Sequence, residues 1–171
     1  AVDRLQALYK MGLAVNATMD LGKLLNLLSR KSMETMRAQV GYILMFNEKT
    51  GNLKVGGSAG ITEDFDREQE IPLKPGGVSY WVMNYNQPKI VEDIDRAREF
   101  SKMSRLGFIR ESVICAPLTD KEDVIGTITI ANTVDGSSFS PSDLELLTTI
   151  AAQASIAIRN ARLYEEQENM Y

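Results

Sequence analysis

Two pairs of short apolar runs, each joined by a brief polar turn, constrain this chain most. Val40–Phe46 and Leu53–Ser58 flank Asn47-Glu48-Lys49-Thr50-Gly51-Asn52, and Ser112–Leu118 and Val124–Asn132 flank Asp120-Lys121-Glu122-Asp123. Runs of this length bounded by turn residues read as strands, and links this brief join antiparallel neighbours. Gly51 in the first turn is able to take a positive φ. Pro88–Glu92 adds a short strand, while the acidic stretch 60–70 reads as loop.

The remaining segments follow a helical period. From Val2 to Met19, the residues Leu5, Leu8, Gly12, Val15 and Met19 step by three and four, a narrow coiled-coil-like stripe. Asp20 offers an N-cap oxygen to a second helix reaching Met36, with Leu21, Leu24, Leu25 and Leu28 on its apolar face. After Pro75-Gly76-Gly77, Val78, Trp81, Val82 and Tyr85 mark a short amphipathic helix. Asp95–Leu106 reads as a short polar helix ended by Gly107. Ser140-Pro141-Ser142-Asp143 starts the last helix, with Ser140 as cap, Pro141 at the first helical position and Asp143 placed for a capping box. Leu144, Leu147, Ala151, Ala154, Ile158 and Ala161 continue it with no stop signal.

This order predicts an α+β domain. A central antiparallel β-sheet of about five to six strands carries long N- and C-terminal helices on one face and short helices on the other. Residues 1–19 are expected to be a connector or dimerisation helix, 20–159 the domain itself, and 160–171 an extension of the last helix.

Composition removes much chemistry. The 171 residues include no histidine and one cysteine. A His-ligated metal, a Ser-His-Asp or Cys-His site and an internal disulfide are therefore impossible within this chain. No metal site and no cofactor are expected. The net charge of −4 argues against nucleic acid. No apolar run approaches the roughly 18 residues of a membrane span, and no signal-peptide pattern is present, so a cytoplasmic setting is expected.

The charge is uneven. Ile61–Glu70 holds five acids against Arg67, and Arg96–Arg110 five bases against Glu99. Arg98, Lys102 and Arg105 share one helical face, with Arg110 nearby, and guanidinium groups there suit an anionic ligand. The same face also reads as a solvated one that answers the acidic loop. Trp81, Tyr85, Phe100, Met103 and Phe108 supply aromatic and thioether material either to line a pocket or to seal the short helices against the sheet. Cys115 lies in an apolar strand, where a thiol is ordinarily an inert core group. By alternation, Ile125, Thr127, Thr129, Ala131 and Thr133 share one face of their strand and Val124, Gly126, Ile128 and Ile130 the other. Gly56-Gly57 and Gly76-Gly77 read as turn glycines.

The segments Ile71–Val82, Gln87–Val91, Ser112–Leu118, Val124–Asn132 and Phe139–Leu147, in that order and spacing, resemble the GAF domain, a small-molecule sensory module of signalling proteins. The resemblance runs from about Asp20 to Arg159. It implies a GAF- or PAS-like sheet with the terminal helices on one face, often dimerising, and short helices near 78–86 and 95–106 roofing a pocket on the other. Cyclic-nucleotide-binding members often carry Asn-Lys, a later Phe, and Asp-Glu four residues after it. Here Asn132, Phe139 and Asp143 match, but Thr133 and Leu144 stand where Lys and Glu would, so the family's Lys–Asp pair cannot form. Bilin-binding members use a Cys often followed by His, and methionine-sulfoxide-reducing members use several cysteines; this chain has neither.

The resemblance therefore implies a non-catalytic sensor that relays ligand state through the helices of a homodimer to a kinase, cyclase or transcriptional output domain. The candidate ligand-binding residues are Trp81, Tyr85, Phe100, Met103, Arg105, Phe108, Cys115 and Thr129. A ligand-free dimerisation and relay module and an enzyme acting through Cys115 are the competing readings.

Overall fold

The computed structural model describes residues 20–61, 68, 70–92 and 112–169. The first predicted helix and the one expected over Asp95–Leu106 lie outside the described residues.

Helix α1 spans Leu21–Thr35 and starts as its sequence requires. The Asp20 carboxylate accepts the N–H of Lys23 at 2.9 Å, satisfying a donor that the first turn leaves open. Strands β1 (Ala38–Asn47) and β2 (Asn52–Ala59) form the first hairpin, with Gly51 at φ 72° in its turn. β3 is a two-residue strand, Glu70–Ile71, pairing with Leu53 and Lys54. The end of the acidic stretch is thus strand rather than loop, held by Asn52 Nδ2 donating to Glu70 Oε2 (3.0 Å) and by the Lys54–Glu68 ion pair (2.9 Å). Lys54, on β2, is therefore a partner of the acidic loop.

Helix α2 is Val78–Tyr85, β4 is Lys89–Val91, β5 is Val113–Asp120 and β6 is Asp123–Thr133. Helix α3, Pro141–Asn169, closes the fold. Its start is the expected reciprocal cap: Ser140 N–H donates to the Asp143 carboxylate (2.8 Å), and Asp143 N–H donates to Ser140 Oγ (3.2 Å).

The six strands make one antiparallel sheet in the order β3-β2-β1-β6-β5-β4. Helices α1 and α3 cover one face. Leu24, Leu28, Ile43, Ile114, Ile128, Ile130, Leu147, Ile150 and Ile158, all at most 1% exposed, form that core. The opposite face packs against α2 through Val40, Tyr42, Val78, Val82, Val113 and Cys115.

Two local features depart from the sequence reading. Gly56 and Gly57 lie inside β2, not in a turn. Gly56 is the extra residue of a bulge, because Ile43 pairs with Gly57 while Leu44 pairs with Val55. A Cβ on Gly57 would lie 2.4 Å from the carbonyl carbon of Leu25, so α1 crosses β2 at backbone contact. A Cβ on Gly41 would likewise meet the Ser29 carbonyl oxygen at 2.6 Å. The second departure is Ile125, which leaves the Thr127 face and packs with the helix-side core. The cause is another bulge: Leu118 pairs with Gly126 and Thr119 with Val124, leaving Ile125 as the extra residue.

The close crossing gives a direct test. Gly57→Ala forces backbone apart rather than a flexible side chain, so it should cost about 1–3 kcal/mol, the range for overpacking a well-filled interior. Urea unfolding should show a lower midpoint at unchanged slope.

Candidate ligand site on the roof face

Register brings five side chains into one row across the face that α2 covers. Ser58 pairs with Tyr42, Tyr42 with Thr129, Thr129 with Cys115, and Cys115 with Lys89. Directly opposed residues in antiparallel strands project to the same side, so the row is hydroxyl, phenol, hydroxyl, thiol and ammonium across β2, β1, β6, β5 and β4. The neighbouring row, Val40, Ala131, Val113 and Val91, is wholly aliphatic.

The row's centre is dry. Cys115 and Thr129 are fully buried, and Thr129 Oγ1 donates to Cys115 Sγ at 3.3 Å. Thr127, on the same face of β6, is also fully buried, yet its hydroxyl has no hydrogen-bond partner among the described residues. It lies near the thiol without meeting hydrogen-bond geometry. Ser58 Oγ is similarly buried and unpartnered. Each unmet hydroxyl costs on the order of 1–3 kcal/mol relative to a paired one. At the rim, the Lys89 ammonium sits 4.9 Å from the centre of the Trp81 ring, and Trp81 packs on Tyr85 at 4.9 Å.

Of the sequence-derived candidates, the structure gathers Trp81, Cys115 and Thr129 on this face. Tyr85 reaches only the rim and is 58% exposed. Phe100, Met103, Arg105 and Phe108 lie outside the described residues, as do Arg98, Lys102 and Arg110. The sequence reading did not single out Tyr42, Ser58 or Lys89 as site residues, and it placed Thr127 only within a threonine-rich strand face able to offer hydroxyls to a pocket. Alternation places Thr127 beside Thr129, but only strand pairing reveals the others.

Two cavities among the described residues lie away from this face. One of about 820 Å³ sits where α3 overhangs the hairpin tips, beside Lys49, Asp120 and Arg162. The other, about 510 Å³, is between Met33 and Val134 at the corner after α1.

A family model described as a GAF domain matches residues 18–159. The chain belongs to the GAF domain family. Over 110 residues it is 26% identical to the dual 3',5'-cyclic-AMP and -GMP phosphodiesterase 11 of Drosophila melanogaster, covering 62% of this chain and 8% of that protein. Over 153 residues it is 22% identical to the nitrogen fixation protein AnfA of Azotobacter vinelandii, covering 88% of this chain and 28% of that one. The chain thus spans less than a third of either relative's length. Among solved structures, the GAF domain of an Acinetobacter phosphoenolpyruvate-protein phosphotransferase superposes with a TM-score of 0.82 at 20% identity, covering 95% and 96% of the two chains. The free methionine-R-sulfoxide reductase of Neisseria meningitidis superposes with a TM-score of 0.80 at 16% identity, covering 94% and 91%. At these identities the likeness shows the fold alone. GAF domains are generally regulatory and occur in signalling proteins, while the fold also serves reductases.

In this GAF domain the residues that match the nucleotide pattern have structural work. Asn132, at φ 60°, exchanges hydrogen bonds with Ser112: its N–H donates to the Ser112 carbonyl (2.9 Å), and its Oδ1 accepts the Ser112 N–H (3.3 Å). Phe139 is 3% exposed in the helix-side core, and Asp143 completes the α3 cap.

Burial pushes the Cys115 thiol up to about 12, against the pull of the Thr129 and Thr127 hydroxyls. The folded protein therefore keeps the thiol neutral where an unfolded thiol, near 9, ionises. The stability linked to this is complete below about pH 9 and is lost as pH climbs from there through about 12. Urea midpoints of Cys115→Ala should fall less steeply than wild type across that window. A thiol reagent should label the native protein only at its unfolding rate.

Proposed function

We propose that this GAF domain is a non-catalytic sensor within a larger signalling protein. It takes a small molecule between the roof face of the sheet and the segments above it. It relays the bound state through the terminal helices of a homodimer to a covalently attached output domain of kinase, cyclase or transcriptional type, in a cytoplasmic setting. The observation that carries this reading is the polar row on the roof face, with the buried hydroxyls of Ser58 and Thr127 unpartnered among the described residues. Ligand pockets are mostly apolar with a few placed polar groups, and unmet buried hydroxyls are what a ligand would satisfy.

A non-catalytic role is supported by the absence of histidine and by a single, fully buried thiol held far from ionisation. The small share of each relative that this chain spans supports a module attached to another activity. No described helix is long and apolar enough to cross a membrane, and neither membrane nor nucleic acid enters the reading.

The dimer rests on α3. Ile156 and Leu163, seven residues apart, are 53% and 51% exposed, and Tyr164 is 38% exposed. A seven-residue apolar repeat on an exposed helix face is the pattern of a helix–helix seam. The same stripe supports the second reading, relay without a ligand.

Native mass spectrometry of protein purified from cells is expected to show a dimer carrying a bound small molecule. A thermal-shift screen over metabolites and nucleotides should find a stabiliser, since a ligand at 100 times its Kd adds about 2.7 kcal/mol. A bare chain and a blank screen would establish ligand-free relay instead. The double variant Ile156→Lys, Leu163→Lys is expected to sediment as a folded monomer; an unaltered dimer would remove α3 from the interface.

A further inference from the structure

β6 is a central strand, and its roof-side residues include Thr127, Thr129 and Ala131. Thr129 uses its hydroxyl on Cys115. Thr127, paired with Leu44 on one side and Pro117 on the other, is fully buried, and its hydroxyl is unmet among the described residues. A valine would fill the same shape and remove the unmet group, so packing alone does not account for threonine here.

The surroundings restrict what can meet that hydroxyl. Its described neighbours on the face are the Thr129 hydroxyl, the Cys115 thiol and the Leu44 and Pro117 side chains. Burial keeps the thiol protonated. Lys89, on the edge strand β4, carries its ammonium to the Trp81 ring. An ion at Thr127 would lose its hydration, and no described residue beside it on this face carries an opposite charge.

We propose that Thr127 is the deep polar contact of the ligand and that the ligand group reaching it is an uncharged carbonyl or amide. This rests on the sheet–roof reading above. A threonine hydroxyl donates to a carbonyl oxygen and accepts from an amide N–H, so a primary amide uses both capacities.

Benzamide, benzoate and benzylammonium share one ring and differ in the charge of the attached group. Each is titrated into the 171-residue chain by ligand-observed NMR. Benzamide is expected to bind at least about tenfold more tightly than either ion, and Thr127→Val to weaken it by about tenfold or more. Thr127→Ser should retain binding, and the ligand-free Thr127→Val protein should melt at or above the wild-type temperature. Equal binding of either ion overturns the charge assignment. Unchanged benzamide affinity in Thr127→Val, with a lower melting temperature, makes the hydroxyl structural. Both of those outcomes leave the sheet–roof reading standing. Failure of all three probes to bind wild type overturns the inference, and the sheet–roof reading is then decided by the co-purified mass and the metabolite screen.

Discussion

The crossing of α1 over the sheet at backbone contact is the constraint on which the other elements depend. It requires hydrogen at Gly41 and Gly57, where any Cβ would enter the helix backbone. The crossing is also a polar junction, because Asn26 of α1 accepts the N–H of Ser58 at 3.0 Å beside the β2 bulge. α3 makes the matching junction at the other bulge. Ser155 Oγ accepts the N–H of Thr119 at 2.9 Å and its O–H donates to the Ala151 carbonyl at 2.7 Å. Each bulge thus sits beside a strand N–H satisfied by the helix layer rather than left buried and unmet.

Fixing both helices on one face separates the chemistry of the two faces. The helix side is filled by Ile43, Ile114, Ala116, Leu118, Ile128 and Ile130, with no ionisable group among them. The roof side alternates an aliphatic row with a polar one. A sheet that stabilises itself mainly through its helix face can tolerate unmet hydroxyls on the other, because the cost of each is a small part of the apolar burial opposite. The strand ladder then couples the two sides. A group bound against Thr127 or Thr129 would press on β6, whose alternate residues Ile128 and Ile130 belong to the helix-side core that includes Ile150 and Ile158 of α3.

The sequence displayed whatever is local. Asp20 and the Ser140–Asp143 pair act within one helical turn of where they stand, and the two hairpins announce themselves through turn residues between apolar runs. The bulges were hidden because a one-residue slip shows only in how two strands pair, not in the residues of either strand alone. Ile125 changes sides only because β5 slips past it. Gly56 and Gly57 looked like a turn because nothing local shows that a helix 32 positions upstream, from Leu25 to Gly57, lies on top of them. The polar row was hidden for the same reason. Ser58, Tyr42 and Lys89 belong to three different strands, and only pairing makes them neighbours of Thr129 and Cys115.

The same placement decides how a fold shared with reductases is to be read. Overall superposition speaks to the backbone, while thiol chemistry depends on the field at one sulfur. A reactive cysteine needs a nearby cation, a helix N-terminus or a metal to hold the thiolate. Cys115 has Lys89 as its register partner, the arrangement that would lower its pKa if the ammonium turned inward. The ammonium instead lies against Trp81, and among the described residues the fully buried sulfur has two neutral hydroxyls beside it. The lysine's charge is thereby kept at the rim. Among the described residues the surroundings of the sulfur are therefore neutral, and the fold alone does not make this thiol a nucleophile.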